Sequence, residues 1–191
     1  SVEEVVKNGT PDDVETEIRA QIERALKMGI KPSHLDSHMG TLFASIAFIE
    51  RYVKVGIEYG IPILMQGGHL QYIGREDEVP EEVARALGQK LWDAGFPVID
   101  DVVAETYGWK RGDKVETFIK FLREMQPGIT EFILHCSVPT EEFPAFTGSS
   151  ETRLGDLEAM LDERLKKAIE EEGIILTTWR ELSERRKQVD Q

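Results

Sequence analysis

Basic residues are scarce relative to acidic ones: 23 Lys and Arg stand against 36 Asp and Glu, a formal net charge of −13. With no positive surplus to neutralise phosphates or anionic headgroups, nucleic acid and membrane surfaces are disfavoured as partners. The one basic cluster, Arg185-Arg186-Lys187, sits among Glu and Gln near the C-terminus and reads as a solvated helix end. Cysteine is nearly absent. With Cys136 alone no intrachain disulfide can form, and a reducing cytoplasm is the expected compartment. No apolar run reaches the ~18 residues of a membrane helix, no signal-peptide pattern opens the chain, and no repeat or low-complexity tract interrupts it. The chain opens on Ser1 rather than Met, as processing or truncation would leave it.

What remains is a chain of 191 residues, 40% hydrophobic and 31% charged, in the range of soluble globular proteins and long enough for one ample core. Residues 1–9 have little pattern and are expected to fray. Thr10 and Pro11 then make a helix start, and Val14, Ile18, Ile22 and Leu26 recur at helical spacing up to Gly29. A strand is expected over Ser33–Ser37, and a helix through Leu42, Ile46, Ile49, Val53 and Ile57 to Gly60. The run Ile61–Met65 reads as a buried strand, with His69 and Tyr72 in its exit loop, Gln66 to Gly74. Pro80 opens a helix that stops at Gly95, and Phe96–Ile99 reads as a strand ending at Asp100 and Asp101. Asp113 and Glu116 resemble a capping box for a helix that Pro127-Gly128 ends. The strand Ile129–Leu134 leads into His135. A polar loop over 137–150 is a candidate lid. Leu154, Leu157, Leu161, Leu165 and Ile169 predict the longest helix, followed by a strand over Ile174–Leu176.

Strands and helices alternate, which predicts an α/β fold with a parallel sheet of five strands and helices packed outside. His38, the Gly67–His69 loop, Asp100 and His135 all fall at C-terminal strand ends, where working residues of such folds collect. Five strands are too few for a closed barrel of the usual eight, so the sheet is open or the remaining strands lie outside this chain.

The densest chemistry is in Lys31-Pro32-Ser33-His34-Leu35-Asp36-Ser37-His38. On a strand, His34, Asp36 and His38 project to one face about 6 to 7 Å apart from one to the next. Such a row suits metal binding or proton transfer. It equally describes hydrogen-bonded core imidazoles with Asp36 fixing a tautomer. His69 reads as a surface residue. Tyr72, Tyr107 and Trp109 are sugar-stacking platforms or, more simply, local packing.

These residues resemble the YdjC-like carbohydrate deacetylases, also called the chitooligosaccharide deacetylase family. The segment from Lys31 to His38 is similar to the family's Lys-Pro-Thr-His-x-Asp-Ser-His. Ile133-Leu134-His135-Cys136 resembles the strand end where the family carries Cys-His-Pro or a similar sequence. Arg153-Leu154 through Leu157, Leu165–Ile169 and Gly173 resemble its last helix and strand. The resemblance implies a parallel (β/α) barrel-like fold related to seven- or eight-stranded barrels. It also implies a metal-dependent hydrolase that removes an N-acetyl group from an amino sugar or chitooligosaccharide, with a divalent ion, Mg or Zn, held by an Asp and two His.

Of those ligands only one maps here, onto His38. The family's Ala-Asp-Asp-Phe-Gly-like and Gly-x-His segments, which carry the others, have no counterpart. Where relatives continue with further His, this chain has Met39-Gly40-Thr41-Leu42. The expectation is therefore a single α/β domain over 1–191, the C-terminal two-thirds of a deacetylase barrel without its N-terminal strands. It would pair with that missing segment or form a homo-oligomer. His38 is the expected metal ligand, and His135 the general acid or oxyanion partner. His34 and Asp36 are second-shell or substrate-binding groups. Competing readings are a metal-dependent phosphoesterase or amidohydrolase-type barrel, for which the loops supply only Lys110, Arg111 and Arg75, and an inactive fragment or binding module on the same scaffold.

Overall fold

The computed structural model describes residues 1–72 and 79–189. Arg75 and the end of the Gln66–Gly74 loop lie outside them. In chain order the elements are α1 (Val2–Asn8), α2 (Pro11–Lys27), a 3₁₀ segment (His38–Ala44), α3 (Ile46–Tyr59), α4 (Glu81–Asp93), β1 (Asp101–Val103), α5 (Lys114–Glu124), β2 (Thr130–Phe132), α6 (Phe143–Phe146), α7 (Ser150–Met160), α8 (Glu163–Glu171) and α9 (Trp179–Val189). The architecture is α/β but mostly helical. Among the described residues the chain divides into two compact units. The first holds Ser1–Gln71, the described part of the segment ending at Asp101, and the segment from Thr177 onward. The second holds Tyr72 and Val102–Leu176.

In the first unit the N-terminal nine residues do not fray. Ser1 and Glu4 form a capping box that starts α1, and the same device at Thr10 and Asp13, with Pro11 at the first helical position, starts α2. Glu15 of α2 is paired with Arg51 and Lys54 of α3, which joins the two helices, and with Arg19 of its own helix. Hydrogen bonds from Lys54 and Arg19 hold its carboxyl down to about 2. On the inner face Ile22 packs with Val55 and Ile61, while Ile49, Tyr52, Val53, Ile63, Met65, Ala84 and Leu91 form the main core. Gly60 closes α3 in the left-handed conformation (φ 65°), which favours a residue without Cβ. Arg186, read from sequence as part of a solvated end, is instead buried. Its guanidinium lies 4.0 Å over the Trp92 ring and donates to the Trp92 carbonyl at 2.6 Å, an Arg-aromatic stack that removes it from water.

The expected strands are reduced in this unit to two parallel bridges, Leu35 with Ile63 and Gln66 with Ile99. Leu35 donates to the Pro62 carbonyl and accepts from Leu64, each at 2.8 Å. The parallel sense is as the alternating pattern predicts, but the ladders are one residue long.

In the second unit β1 and β2 are hydrogen-bonded neighbours connected through α5. Phe118, Ala159 and Leu165 centre a core to which Trp109, Ile119, Phe132 and Leu134 add. Trp109 stacks edge-on against Phe118 at 4.8 Å, and Tyr72 against Phe121 at 4.9 Å, so both are packing residues. Three expectations fail here. Asp113 makes no side-chain cap, because α5 is entered from a 3₁₀ turn in which Asp113 is itself helical. The long C-terminal helix is broken at Leu161, where Asp162 accepts the Arg164 N–H at 2.8 Å and starts α8 afresh. Ile174–Leu176 is not a strand: with no ladder partner among the described residues, Ile175 and Leu176 stay 80% and 75% exposed. The 137–150 stretch contains the single turn α6.

Candidate functional site

Both units carry chemistry-bearing residues. In the first unit the backbone around Leu35 is clamped between its bonds to Pro62 and Leu64 and the Tyr52 hydroxyl, which donates to the Leu35 carbonyl at 2.6 Å. After Ser37 the chain leaves the extended conformation, since Met39 (φ 56°) and Gly40 (φ 63°) are left-handed. That turn is pinned by Leu42 N–H donating to Ser37 Oγ at 2.9 Å and Thr41 Oγ1 to the His38 carbonyl at 2.8 Å.

His34, Asp36 and His38 all border one cavity of about 600 Å³ between this segment and helices α1 and α2. Val14, Ile18, Ile22 and Leu35 supply its apolar wall. The volume lies within the ~300–1,000 Å³ of small-molecule sites. The three polar residues are not equivalent. His34 is half-buried, stacked on Trp179 (centroids 5.0 Å, planes 13° apart) with Nδ1 3.0 Å from Ser33 Oγ. Burial pulls its pKa below the ordinary 6.5, while Asp36 pulls the other way. Asp36 is exposed, and its Oδ1 accepts the Ser37 N–H at 2.6 Å instead of bonding to an imidazole. His38 is exposed at the mouth of the turn. Strand parity is therefore only part of the outcome, because Leu35 and Ser37 border the same cavity.

His69 is not the surface residue expected. Its side chain is 20% exposed, and Nδ1 lies 2.9 Å from Oδ2 of the fully buried Asp101. Gln71 N–H also donates to that oxygen. An isolated His gives no sequence signal of such a pairing.

In the second unit, His135 follows β2 and is half-buried. Its backbone N–H donates to Asp156 Oδ2 at 2.9 Å, and its ring meets the edge of Tyr107 at 5.1 Å. Asp156 and Lys114 are both fully buried and paired. Lys114 Nζ also donates to the Thr152 carbonyl at 2.9 Å and to Thr152 Oγ1 at 2.8 Å, and that hydroxyl donates to the Tyr107 carbonyl at 2.7 Å. One buried ammonium thus organises the backbones that carry both His135 and Tyr107. Sequence reasoning missed Lys114 and Asp156. The available signal was Asp156 four residues after Thr152, flanked by Gly155 and Ala159 on the buried face of α7. Cys136 is exposed, and desolvation followed by Asp156 raises its thiol pKa, so it is not an activated nucleophile.

Among the described residues, no group of three or more His, Cys, Asp or Glu side chains is placed to hold a metal ion. His34 Nδ1 faces Ser33 Oγ with the ring stacked on Trp179, and Asp36 Oδ1 accepts from Ser37, while His38 stands exposed. By themselves these residues do not make a metal centre. Nor is any described helix long and apolar enough to cross a membrane.

Comparison with known proteins agrees with the resemblance carried by the Lys31–His38 segment. The family model described as YdjC-like protein matches residues 1–171. A carbohydrate deacetylase of Thermus thermophilus is 25% identical over 185 residues, 96% of this chain and 65% of the relative. A carbohydrate deacetylase of Thermoanaerobacter pseudethanolicus is 22% identical over 168 residues, 88% of this chain and 59% of the relative. The chain therefore spans less than two thirds of the length of these curated relatives. Among solved structures, one from Enterococcus faecalis, provisionally described as a cellobiose-phosphate cleavage protein, superposes with a TM-score of 0.71 over 91% of this chain and 61% of its own. At 20% identity that likeness speaks to the fold.

Proposed function

The chain belongs to the YdjC-like protein family, and from that premise we propose that it is part of a carbohydrate deacetylase that hydrolyses the N-acetyl group of an amino sugar or chitooligosaccharide. The observation that carries this reading is that the family-like segment Lys31–His38 is also the one that borders the 600 Å³ cavity. An apolar wall beside polar side chains matches a sugar, whose rings have apolar faces and polar edges. The names of the two curated relatives support the same reaction.

We assign His38 as one ligand of a divalent metal ion, Mg or Zn, with the remaining ligands beyond the described residues. His135 is the general acid or oxyanion partner. It is supported by a backbone held through Asp156 and a ring held against Tyr107, which suit a group that must deliver a proton to one place. His34 and Asp36 shape the cavity wall, where they orient the ligand imidazole or contact the sugar. The single cysteine fits a reducing cytoplasm. The parallel bridges fit a (β/α) barrel-like fold whose open edges are completed by a further segment or another copy.

The test is acetate release from N-acetylated oligosaccharides by the native protein, before and after exhaustive chelation, and in His38→Ala. The reading expects loss of turnover on chelation and in the variant, with the helical signal retained. Full activity after chelation, or unchanged turnover in the variant, would overturn the metal assignment, and no acetate from any N-acetylated sugar would overturn the reaction.

A further inference from the structure

The second unit contains four arginines, and three are neutralised by carboxylates. Arg111 pairs with Glu151 and Glu158, Arg123 with Glu171 and Glu172, and Arg164 with Asp162 and Glu116. Arg153 differs. Its contacts are one hydrogen bond from Nε to Ser149 Oγ at 2.9 Å and a position 5.9 Å from the centre of the Tyr107 ring. Ser149 Oγ is in turn 2.6 Å from Thr147 Oγ1, so the Nε side of the guanidinium is anchored to a fixed hydroxyl pair. Among the described residues no carboxylate pairs with it.

The same Tyr107 ring receives His135 on its edge at 5.1 Å. Nδ1 of His135 is buried and has no hydrogen-bond partner among the described residues. A buried imidazole nitrogen left unpaired costs stability unless a ligand or water engages it. The backbones of His135 and Tyr107 are tied together through the buried Lys114 and Asp156 and through Thr152, the residue before Arg153, so this side of the cluster is pre-organised. We propose that Arg153 and His135, with the Tyr107 ring as wall, form a binding site for one oxyanion group, a carboxylate or a phosphate. The guanidinium presents its terminal N–H groups as a planar fork to two oxygens, and the imidazole donates to the oxygen nearest it. The carboxylate source is the acetate that deacetylation releases. The phosphate source is a phosphorylated sugar.

The site shares His135 with the deacetylase reading and deepens it, but its test requires no turnover, so either can fail while the other stands. The 191-residue chain is titrated separately with sodium acetate and sodium phosphate at constant ionic strength, and the histidine ring resonances are followed by NMR, with His135→Gln identifying the His135 signal. The site requires a saturable shift of that signal with at least one anion and a higher protonation midpoint when the anion is bound. The response is absent in Arg153→Gln and on the order of tenfold weaker in Arg153→Lys, which keeps the charge but loses the fork. Tighter binding of phosphate assigns a phosphorylated group, and equal or tighter binding of acetate assigns a carboxylate. No saturable shift with either anion overturns the proposal. So does a response in Arg153→Lys or Arg153→Gln equal to that of the parent chain, which would mark an adventitious ion only.

Discussion

Lys114 donates its ammonium to Asp156 where neither side chain has any exposed surface, and the far oxygen of the same carboxylate accepts the His135 backbone N–H. The pair therefore holds the backbone of the residue assigned to proton delivery from the buried interior of the second unit. Removing either partner has an unequal consequence from removing both, because a buried charge without its counter-charge keeps its desolvation cost and loses its compensation.

Lys114→Met is expected to destabilise the second unit by about 3–5 kcal/mol. The measurement is urea unfolding followed by the fluorescence of Trp109, which packs on Phe118 in that core. Lys114→Met combined with Asp156→Leu should recover a large part of the loss. A double variant as unstable as the sum of the singles would show that the two charges do not act as a pair.

Alanine at Gly56 should invert the ordinary helix rule. In an exposed helix interior the change gains up to ~1 kcal/mol. Here a Cβ would sit 2.4 Å from Ile63 Cγ2 and 3.1 Å from the Ile61 carbonyl oxygen. Ile63 is 1% exposed and has no space to retreat into. The expected result is a loss of about 1–3 kcal/mol, read as a lower urea midpoint, and a midpoint at or above the parent value would refute the close packing of α3 on this segment.

His34 makes the first unit less stable in acid. Its folded pKa lies below the ordinary 6.5 because burial disfavours the charged ring. The unfolded chain therefore takes up a proton first as the pH falls. Its contribution is fully present above 6.5 and is lost between 6.5 and the lower folded value. An NMR titration should place the His34 midpoint below 6.5, and Trp179→Leu, which uncovers one face of the ring, should move it back up. A His34 midpoint at or above 6.5 in the parent chain would contradict the burial.

His135→Ala in the native protein should lower deacetylase turnover by about 10²–10⁴, the range for loss of a positioned acid or base. KM for the sugar should change far less than kcat. Retention of full kcat would remove His135 from the chemistry.

At the candidate site the sequence carried the residue types and their order but not their roles. The alternation of His34, Asp36 and His38 was readable, as was the Pro before them. That His34 spends one face on Trp179 was not, nor that Asp36 turns back to the Ser37 N–H. His69 reads from sequence as a surface residue because nothing near it along the chain announces Asp101 as its neighbour. Arg186 was misread for the same reason, since Trp92 lies far away along the chain.

Local signals alone determined most of the helices. Thr10 with Asp13, Gly60 and Gly95, together with apolar residues at helical spacing, mark the bounds of α2, α3 and α4, because caps and amphipathic faces are set by residues three or four apart. Tertiary structure decided what depends on a neighbour from elsewhere in the chain. A strand exists only where another lies beside it, so Ile129–Leu134 yields β2 against β1 while the wholly apolar Ile174–Leu176 remains exposed coil. A buried charge is tolerated only where its counter-charge arrives, so Lys114 can lie inside the second unit because α7 brings Asp156 to it.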